Sequence, residues 1–430
     1  MKTRGLMMGL GLLVAVWGEP ASARAATRPN VILIISDDQA WTDFGFMGHP
    51  ATRTPSLDRL AEQGVLFPHG YVTAPLCRAS LASIITGQYG HRTRICGNDA
   101  PNATADRAAS QAFIRDVPTL PRLLGRAGYR TLQTGKLWEG SYANAGFSHG
   151  MTPEGERHGG PGLVIGREGM RPIYDFIEQG GDTPFFIWYA PFLPHEPHNP
   201  PERLLSKYTA PDRHPRLAAY WAMCEWLDET CGELVDYLRD KKLLDDTLIV
   251  FIVDNGWIQA TDERPTRWGW FAPKSKRSPY EGGVRTPIVL HWPGRIKPGR
   301  HTFLASAIDL APTILRACGI QPPSEMTGVN LLEVSTGESV DRQAVFGEVF
   351  GHDDVALGDP DRNVTHRWMR RGRWKLIVSQ DGNEPVELYD LVADPTEDRN
   401  LATGHPQVVR DMVALLDAWW KPRTSKPTDK

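Results

Sequence analysis

Short apolar runs recur along the chain, and each run ends in a polar or glycine-containing segment. These runs predict strands at residues 31–35, 129–132, 184–189, 247–253 and 287–292. The β-branched composition of the first run is typical of a strand that is buried on both faces of a sheet.

Two stretches between these runs have the periodicity of helices. Residues 118–128 predict a short helix that Gly128 closes. Residues 215–239 predict a long helix, because the apolar positions recur in alternating steps of three and four. The alternation of strands and helices predicts an α/β fold with a large, mostly parallel sheet and helices on both faces.

The pattern changes after about residue 335. Residues 368–378 predict a hairpin, residues 387–391 a short strand and residues 406–420 a final helix. We therefore expect an N-terminal domain over residues 26–335. A smaller C-terminal α+β subdomain with an antiparallel sheet is expected over residues 336–430.

The first 25 residues have the pattern of a secretory signal peptide. Lys2 and Arg4 precede an apolar run at residues 6–17, and small residues follow at 21–23 and 25. The alternative is an N-terminal membrane anchor, but the run is too short to span a bilayer comfortably. We expect cleavage near residue 23 or 25 and a periplasmic or secreted protein without a stable membrane span.

The composition is that of an ordinary globular protein. The 430 residues are 41% hydrophobic and 23% charged, which excludes a mostly disordered chain. The net charge of −3 gives no electrostatic case for nucleic-acid binding. Cys224 and Cys231 lie on the apolar stripe of the long predicted helix. Seven helical residues separate them by about 10 Å, too far for a disulfide, so we expect two buried thiols.

Acidic and amide side chains follow two of the predicted strands. Asp37 and Asp38 come after the strand at 31–35, and Asp254 and Asn255 come after the strand at 247–253. Either pair alone would more often be a turn or a helix cap. In open α/β sheets, however, ligands bind outside the carboxyl ends of the strands. Two such pairs therefore predict a site for a hard divalent cation such as Ca²⁺ or Mg²⁺.

A segment around Cys77 resembles the signature of the type I sulfatases. In that family a cysteine is oxidised to formylglycine and a Thr-Gly pair follows nine residues later, which is the spacing of Cys77 and Thr86. Further segments resemble other family motifs in the same order, and a set of this kind is specific where one motif is weak. They are 30–38, 54–61, Gly135-Lys136, 194–197, 254–256, Lys276 ahead of 281–283, and 388–391 followed by Asp394-Pro395.

The resemblance implies an alkaline phosphatase-like fold and a sulfuric ester hydrolase that acts on a sulfated glycan. A maturation enzyme would convert Cys77 to formylglycine, which acts as a covalent nucleophile. A divalent cation would be required, with Ca²⁺ expected and Mg²⁺ as the alternative. The implied metal ligands are Asp37, Asp38, Cys77, Asp254 and Asn255.

The resemblance also implies roles for the basic side chains of the site. Lys136 and Lys276 would hold sulfate oxygens as point charges. His195 or Lys276 would give a proton to the leaving alcohol. His198 is a rival to His195, but the motif position favours His195.

Two positions depart from the family pattern. Leu81 stands where the family has an arginine that the maturation enzyme reads. Trp138 stands where the family has a histidine; that role is unfilled, or Glu139 or His149 fills it from another direction. The departures keep two other interpretations open, namely a phosphoesterase of the same superfamily and a non-catalytic relative that binds sulfated glycans.

Aromatic and basic residues near the predicted site loops are candidates for glycan contacts. They are Trp138, Trp257, Trp268 and Trp270, together with Arg264, Arg267, Lys274, Lys276 and Arg277. Aromatic rings more often pack in the core, and a basic loop can equally be a solvated surface.

Overall fold

Two β-sheets of unequal size organise the chain. The computed structural model describes residues 28–261, 269–338, 340–382 and 384–423. Within these residues, one sheet has nine strands and the other has four. The strands are β1 (Asn30–Ser36), β2 (Val65–Tyr71), β3 (Arg130–Gly135), β4 (His149–Gly150), β5 (Phe185–Ala190), β6 (Thr247–Val253), β7 (Arg285–His291), β8 (Gly299–Arg300), β9 (Ala305–Ser306), β10 (Val345–Phe350), β11 (Val364–Arg371), β12 (Trp374–Ser379) and β13 (Glu387–Asp390).

Helices connect most of these strands. They are α1 (Pro55–Gln63), α2 (Cys77–Thr86), α3 (Gly90–Thr93), α4 (Arg107–Ala112), α5 (Leu120–Arg126), α6 (Arg171–Gly180), α7 (Glu202–Leu205), α8 (Pro215–Asp240), α9 (Glu281–Val284), α10 (Leu310–Ala317), α11 (Leu331–Thr336), α12 (Pro360–Asn363) and α13 (Pro406–Trp419). None of the helices in the described ranges is long and apolar enough to cross a bilayer. The predicted signal peptide at 1–25 and the residues Arg264, Arg267 and Trp268 lie outside the described residues.

The larger sheet is mostly parallel, as predicted. Its strand order is β4-β3-β5-β1-β6-β7-β2-β8, and β9 pairs with β2. β1 lies between β5 and β6 and is parallel to both. β7 runs antiparallel to both of its neighbours, β6 and β2.

The side chains of β1 alternate between two apolar layers. Val31, Leu33 and Ile35 pack in the cluster that contains α2 and α10. Ile32 and Ile34 pack in the cluster that contains the apolar stripe of α8. Because successive side chains of a strand point to opposite faces, helices cover the sheet on both sides.

The long predicted helix is present as α8, with the apolar stripe turned inward. Cys224 and Cys231 are both buried and free. The prediction of two core thiols is therefore confirmed.

The C-terminal strands form the predicted antiparallel sheet. Its order is β10-β11-β12-β13, and each neighbouring pair is antiparallel. Met412 and Leu416 of α13 pack against Met369, Leu376 and Leu388 of this sheet. The fold class is thus the predicted one, and the domain boundary near residue 335 stays a prediction.

Two elements beside the site were missing from the sequence-based prediction. Pro68 and Gly70 interrupt the apolar run of β2, and the register against β7 shifts between Phe67 and Gly70. A proline removes a ladder hydrogen bond, so this segment lacks a strand-like pattern. Every residue of α2 is buried, and a helix buried all round has no amphipathic stripe to reveal it.

Candidate active site

The parallel pairing of β1 and β6 brings the two polar pairs together. Ser36 is opposite Val253 in the register, so the next residues leave the sheet at the same edge. The Asp38 amide donates to Asp254 Oδ1 at 3.0 Å. Asn255 Nδ2 donates to Asp38 Oδ1 at 2.7 Å. Three of the five side chains predicted to hold a metal, Asp38, Asp254 and Asn255, therefore belong to one cluster.

Two buried lysines reach the same carboxylates from other elements. Lys136 follows β3, and its Nζ lies 2.6 Å from Asp37 Oδ1 and 3.7 Å from Asp254 Oδ2. Lys276 Nζ lies 2.6 Å from both carboxylate oxygens of Asp38. Burial favours the protonated form of Asp38, yet Lys276 holds its pKa below the ordinary value. Burial also opposes the charge of Lys276, but Asp38 raises its pKa overall.

The polar atoms of this edge fit a divalent cation. Three buried oxygens, Asp37 Oδ2, Asp254 Oδ2 and Asn255 Oδ1, accept no hydrogen bond from the described residues. Buried polar atoms normally have partners, and hard cations bind oxygen. Ligand atoms of Asp37, Asp38, Cys77 and His195 also lie within 4.8 Å of one another. Three carboxylates beside two ammonium groups leave formal negative charge for a cation to neutralise.

Cys77 is the first residue of α2 and lies at this centre. Its side chain is 2% exposed. Burial raises the pKa of the thiol to about 12, although Lys136 and Lys276 act in the opposite direction. Cys77 is therefore a neutral thiol at pH 7, and a thiol is a poor nucleophile without further activation.

His195 reaches the cluster from the loop after β5. Its Nε2 lies 3.3 Å from Asp38 Oδ2, and its ring stacks on Phe192 with 4.2 Å between centroids. Burial lowers its pKa to about 4 against the opposing effect of Asp37 and Asp38. The rival His198 packs between Tyr220 and Trp257 and does not line the cavity described below.

Two glycines explain how Lys276 is held in place. A Cβ on Gly283 would lie 2.3 Å from the carbonyl oxygens of Ser275 and Ser278, which flank Lys276. A Cβ on Gly256 would lie 2.0 Å from the carbonyl oxygen of Gly282. The loop that carries Lys276 can pack this closely only because these positions have no side chain. Gly256, in the Asp254-Asn255-Gly256 motif, therefore allows close packing against the Glu281-Gly282-Gly283 motif. Gly283 allows close packing of that second motif against the loop that carries Lys276.

Glu281 belongs to a buried hydrogen-bond network between the two sheets. Its carboxylate accepts hydrogen bonds from Tyr71 at 2.9 Å and from Lys375 at 3.1 Å. Lys375 of β12 also pairs with Glu397 at 2.9 Å, and the Glu281 amide donates to Glu397 at 2.6 Å. This buried network connects β2, α9 and the smaller sheet. It anchors α9, which begins five residues after Lys276.

A cavity of about 180 Å³ opens above the cluster. It brings together the four predicted catalytic residues, Cys77, Lys136, His195 and Lys276, and residues that the sequence did not indicate. The complete lining is Asp38, Cys77, Asn98, Lys136, Trp138, Arg157, His158, His195, Glu196, Trp257, Phe271, Lys276, Arg277 and His352.

Neither residue considered as a substitute for the missing histidine is available at this cavity. The Glu139 carboxylate binds the Arg78 guanidinium through two hydrogen bonds of 3.0 Å each. His149 is exposed on β4 and packs against Phe176. His158, from the loop after β4, lines the cavity instead. It follows a polar, glycine-rich stretch, and no periodicity or motif pointed to it.

Some of the candidate glycan contacts line the cavity, and Lys274 does not. Trp138 and Trp257 are largely buried, and each also lines the cavity, where a bound glycan could contact it. Arg277 also lines the cavity. Lys274 instead binds backbone and carboxylate groups of the C-terminal segment, including the Glu397 carbonyl.

The fold and the site define a hydrolase of the alkaline phosphatase-like superfamily. The sulfatase family model matches residues 29–320, and a model described as N-sulphoglucosamine sulphohydrolase, C-terminal, matches residues 266–419. The chain therefore belongs to the sulfatase family and is a sulfate-ester hydrolase. Membership of this family implies a metal ion and a formylglycine.

Individual proteins support the same assignment. N-acetylgalactosamine-6-sulfatase of Canis lupus familiaris is 29% identical over 412 residues, covering 85% of this chain and 76% of that protein. A protein solved in complex with its substrate D-glucosamine-2-N,6-O-disulfate has a TM-score of 0.73 and 21% identity, covering 91% of this chain and 97% of that one. Phosphonate monoester hydrolase of Agrobacterium radiobacter has a TM-score of 0.70 and 22% identity, covering 91% of this chain and 96% of that one. The two structures establish the fold.

Proposed function

We propose that this chain is an exported sulfatase that removes sulfate esters from a sulfated glycan, using a formylglycine formed from Cys77 and a bound divalent cation. The observation that carries the proposal is the position of Cys77. It lines one cavity with Lys136, His195 and Lys276, directly above the acidic edge of the sheet. The glycan is favoured because relatives that act on sulfated amino sugars share most of the chain length.

Asp37, Asp38, Asp254 and Asn255 would hold the cation, with residue 77 completing its surroundings. Carboxylate and amide oxygens are suitable ligands for both Ca²⁺ and Mg²⁺. We propose Ca²⁺ as the bound ion, with Mg²⁺ as the alternative. When present, the formylglycine supplies an oxygen nucleophile and the cation neutralises charge beside it.

The basic side chains would bind and orient the sulfate group. Lys136 and Lys276 are buried ammonium groups at the cavity floor, where low dielectric strengthens their attraction for an anion. Lys276 keeps its proton at neutral pH because its pKa is raised. His195 is largely neutral there because burial lowers its pKa to about 4. Lys276 is therefore our preferred proton donor to the leaving alcohol.

The decisive experiment is mass spectrometry of the tryptic peptide from Leu60 to Arg78, from protein made in its native host. We expect an aldehyde in place of the Cys77 thiol. Turnover of aryl sulfate should be lost in Cys77→Ala and retained in Cys318→Ala, which changes a buried free thiol immediately after α10. Finding only the thiol in an active wild-type enzyme would overturn the formylglycine mechanism.

The two other interpretations give different results in parallel assays. A phosphoesterase would turn over aryl phosphate or phosphonate esters faster than aryl sulfate. A non-catalytic relative would bind sulfated glycans without turnover of any ester when Ca²⁺ is supplied. The sulfatase is expected to prefer sulfate esters and to release inorganic sulfate from a glycan.

A further inference from the structure

His158 lines this cavity and, like His352, belongs to none of the sequence motifs. It lies in the loop between β4 and α6, and its carbonyl accepts a hydrogen bond of 3.3 Å from the Leu137 amide. That bond fastens the loop beside Lys136. The His158 side chain lines the cavity together with Lys136, from a part of the chain remote in sequence from both acidic pairs.

Two aromatic rings hold the His158 imidazole in position. The Trp138 ring lies 5.2 Å away between centroids, and the Phe192 ring lies 6.0 Å away and perpendicular to it. Phe192 also packs beneath Lys136 Nζ at 5.5 Å and stacks on His195. The Phe192 ring thus contacts His158, His195 and Lys136, which all line the same cavity.

The nitrogens of His158 are available to a ligand. In the described chain neither ring nitrogen has a hydrogen-bond partner, whereas His195 Nδ1 lies 2.6 Å from the Glu196 carbonyl. The half-buried imidazole lines the cavity, so a ligand bound there can reach its nitrogens. Arg157 has partners of its own, because it pairs with Asp99 and lies 4.5 Å from the centroid of the Trp138 ring.

The surrounding charge favours an anion next to this ring. Burial lowers the pKa of His158 to about 4, and Lys136 and Arg157 act in the same direction. The imidazole is therefore neutral at pH 7 and carries one N–H donor. A donor beside Lys136 is suited to an oxygen of a tetrahedral anion.

We infer that His158 is a sulfate-binding residue of this enzyme and takes the place of the histidine that the family has at position 138. Trp138 supplies the ring on which His158 packs, and His158 supplies the N–H that donates to a sulfate oxygen beside Lys136. The inference rests on the proposed sulfatase site. It requires no conversion of Cys77.

The test measures binding of inorganic sulfate by calorimetry in buffer containing Ca²⁺, on a Cys77→Ala background that cannot form the aldehyde. His158→Phe keeps a ring between Trp138 and Phe192 but removes both nitrogens, and His158→Gln keeps an N–H donor. We expect roughly 10- to 100-fold weaker binding for the Phe variant and partial recovery for the Gln variant. His149→Phe, at the exposed histidine of β4, is the matched control and should bind as the background does.

A second measurement guards against misfolding of the variants. Histidine ring ¹⁵N resonances of the Cys77→Ala protein are followed as sulfate is added, and the resonances absent from His158→Gln identify His158. They are expected to shift on binding. Unchanged affinity in both His158 variants, or an unshifted His158 resonance at saturating sulfate, would overturn the inference. Absence of turnover in the aldehyde-bearing wild type, with these binding results intact, would instead count against the proposed function alone.

Discussion

The Arg78 guanidinium and the Glu139 carboxylate form a buried bidentate ion pair. The Nε–Oε1 and Nη2–Oε2 distances are both 3.0 Å, and the side chains are 2% and 4% exposed. Arg78 also donates to the Ser110 hydroxyl at 2.5 Å and to the Ser110 carbonyl at 2.9 Å. One partner follows Cys77 and the other follows Trp138. The pair therefore connects the start of α2 with the loop after β3.

Breaking this pair from one side should destabilise the protein strongly. Arg78→Met leaves the Glu139 carboxylate buried and unpaired, which typically costs about 3–5 kcal/mol. Urea unfolding of the two proteins would measure the loss. The matched control is Arg203→Met, which removes an exposed pair with Glu229 and should change stability by about 1 kcal/mol or less. Equal losses in both variants would contradict a special role for the buried pair.

Gly283 should be essential for activity because of its contacts with the loop that carries Lys276. A Cβ there would lie 2.3 Å from two carbonyl oxygens of that loop, so Gly283→Ala must displace it. We expect kcat/KM for aryl sulfate to fall by at least about 100-fold, since a shift near 1 Å at a reacting group has effects of that size. Gly404→Ala, where a Cβ meets no atom within 4 Å, should leave the rate unchanged. A Gly283→Ala enzyme with normal kinetics would show that the loop has room to adjust.

Metal binding should depend on the Asp254 carboxylate and not on buried carboxylates elsewhere in the protein. Asp254→Asn removes a charged ligand of the proposed site, and Ca²⁺ affinity should fall by more than about 100-fold, because even outer-shell changes cost 10–100-fold. The control is Asp43→Asn, a buried carboxylate that accepts from Tyr220 at 2.5 Å and lies outside the cluster. Metal content after dialysis, measured by mass spectrometry, would check both. Loss of metal in the control, or retention of metal in Asp254→Asn, would contradict a metal site at Asp254.

The sequence predicted those parts of the structure that a local pattern determines. β6 has the predicted bounds, because an uninterrupted apolar run needs no tertiary information. The acidic pairs were found because they follow such runs, and parallel pairing then brings their ends together. β2 was missed because Pro68 and Gly70 break its run. His158 was missed because a loop of polar and glycine residues has no periodicity, and its position depends on packing against Trp138.

Stability should fall in mildly acidic solution, partly through His291. This side chain is 3% exposed, its Nδ1 has no partner among the described residues, and burial lowers its pKa from 6.5 to about 4. Above pH 6.5 both folded and unfolded states hold His291 neutral, so it has no effect on the pH dependence. Between pH 6.5 and 4 the unfolded state binds the proton and the folded state does not, so folding loses free energy as the pH falls. The loss attributable to His291 at pH 5 is about 2 kcal/mol.

Urea unfolding of His291→Asn at pH 7, 6 and 5 separates this contribution from other groups. The variant has no imidazole to protonate at this position, so its stability should fall less steeply than that of the wild type by about 2 kcal/mol between pH 7 and 5. His405→Asn, at an exposed histidine, is the control for substitution itself. Parallel curves for wild type and His291→Asn would mean that His291 finds a proton acceptor or solvent in the folded state, contrary to its burial at the end of β7.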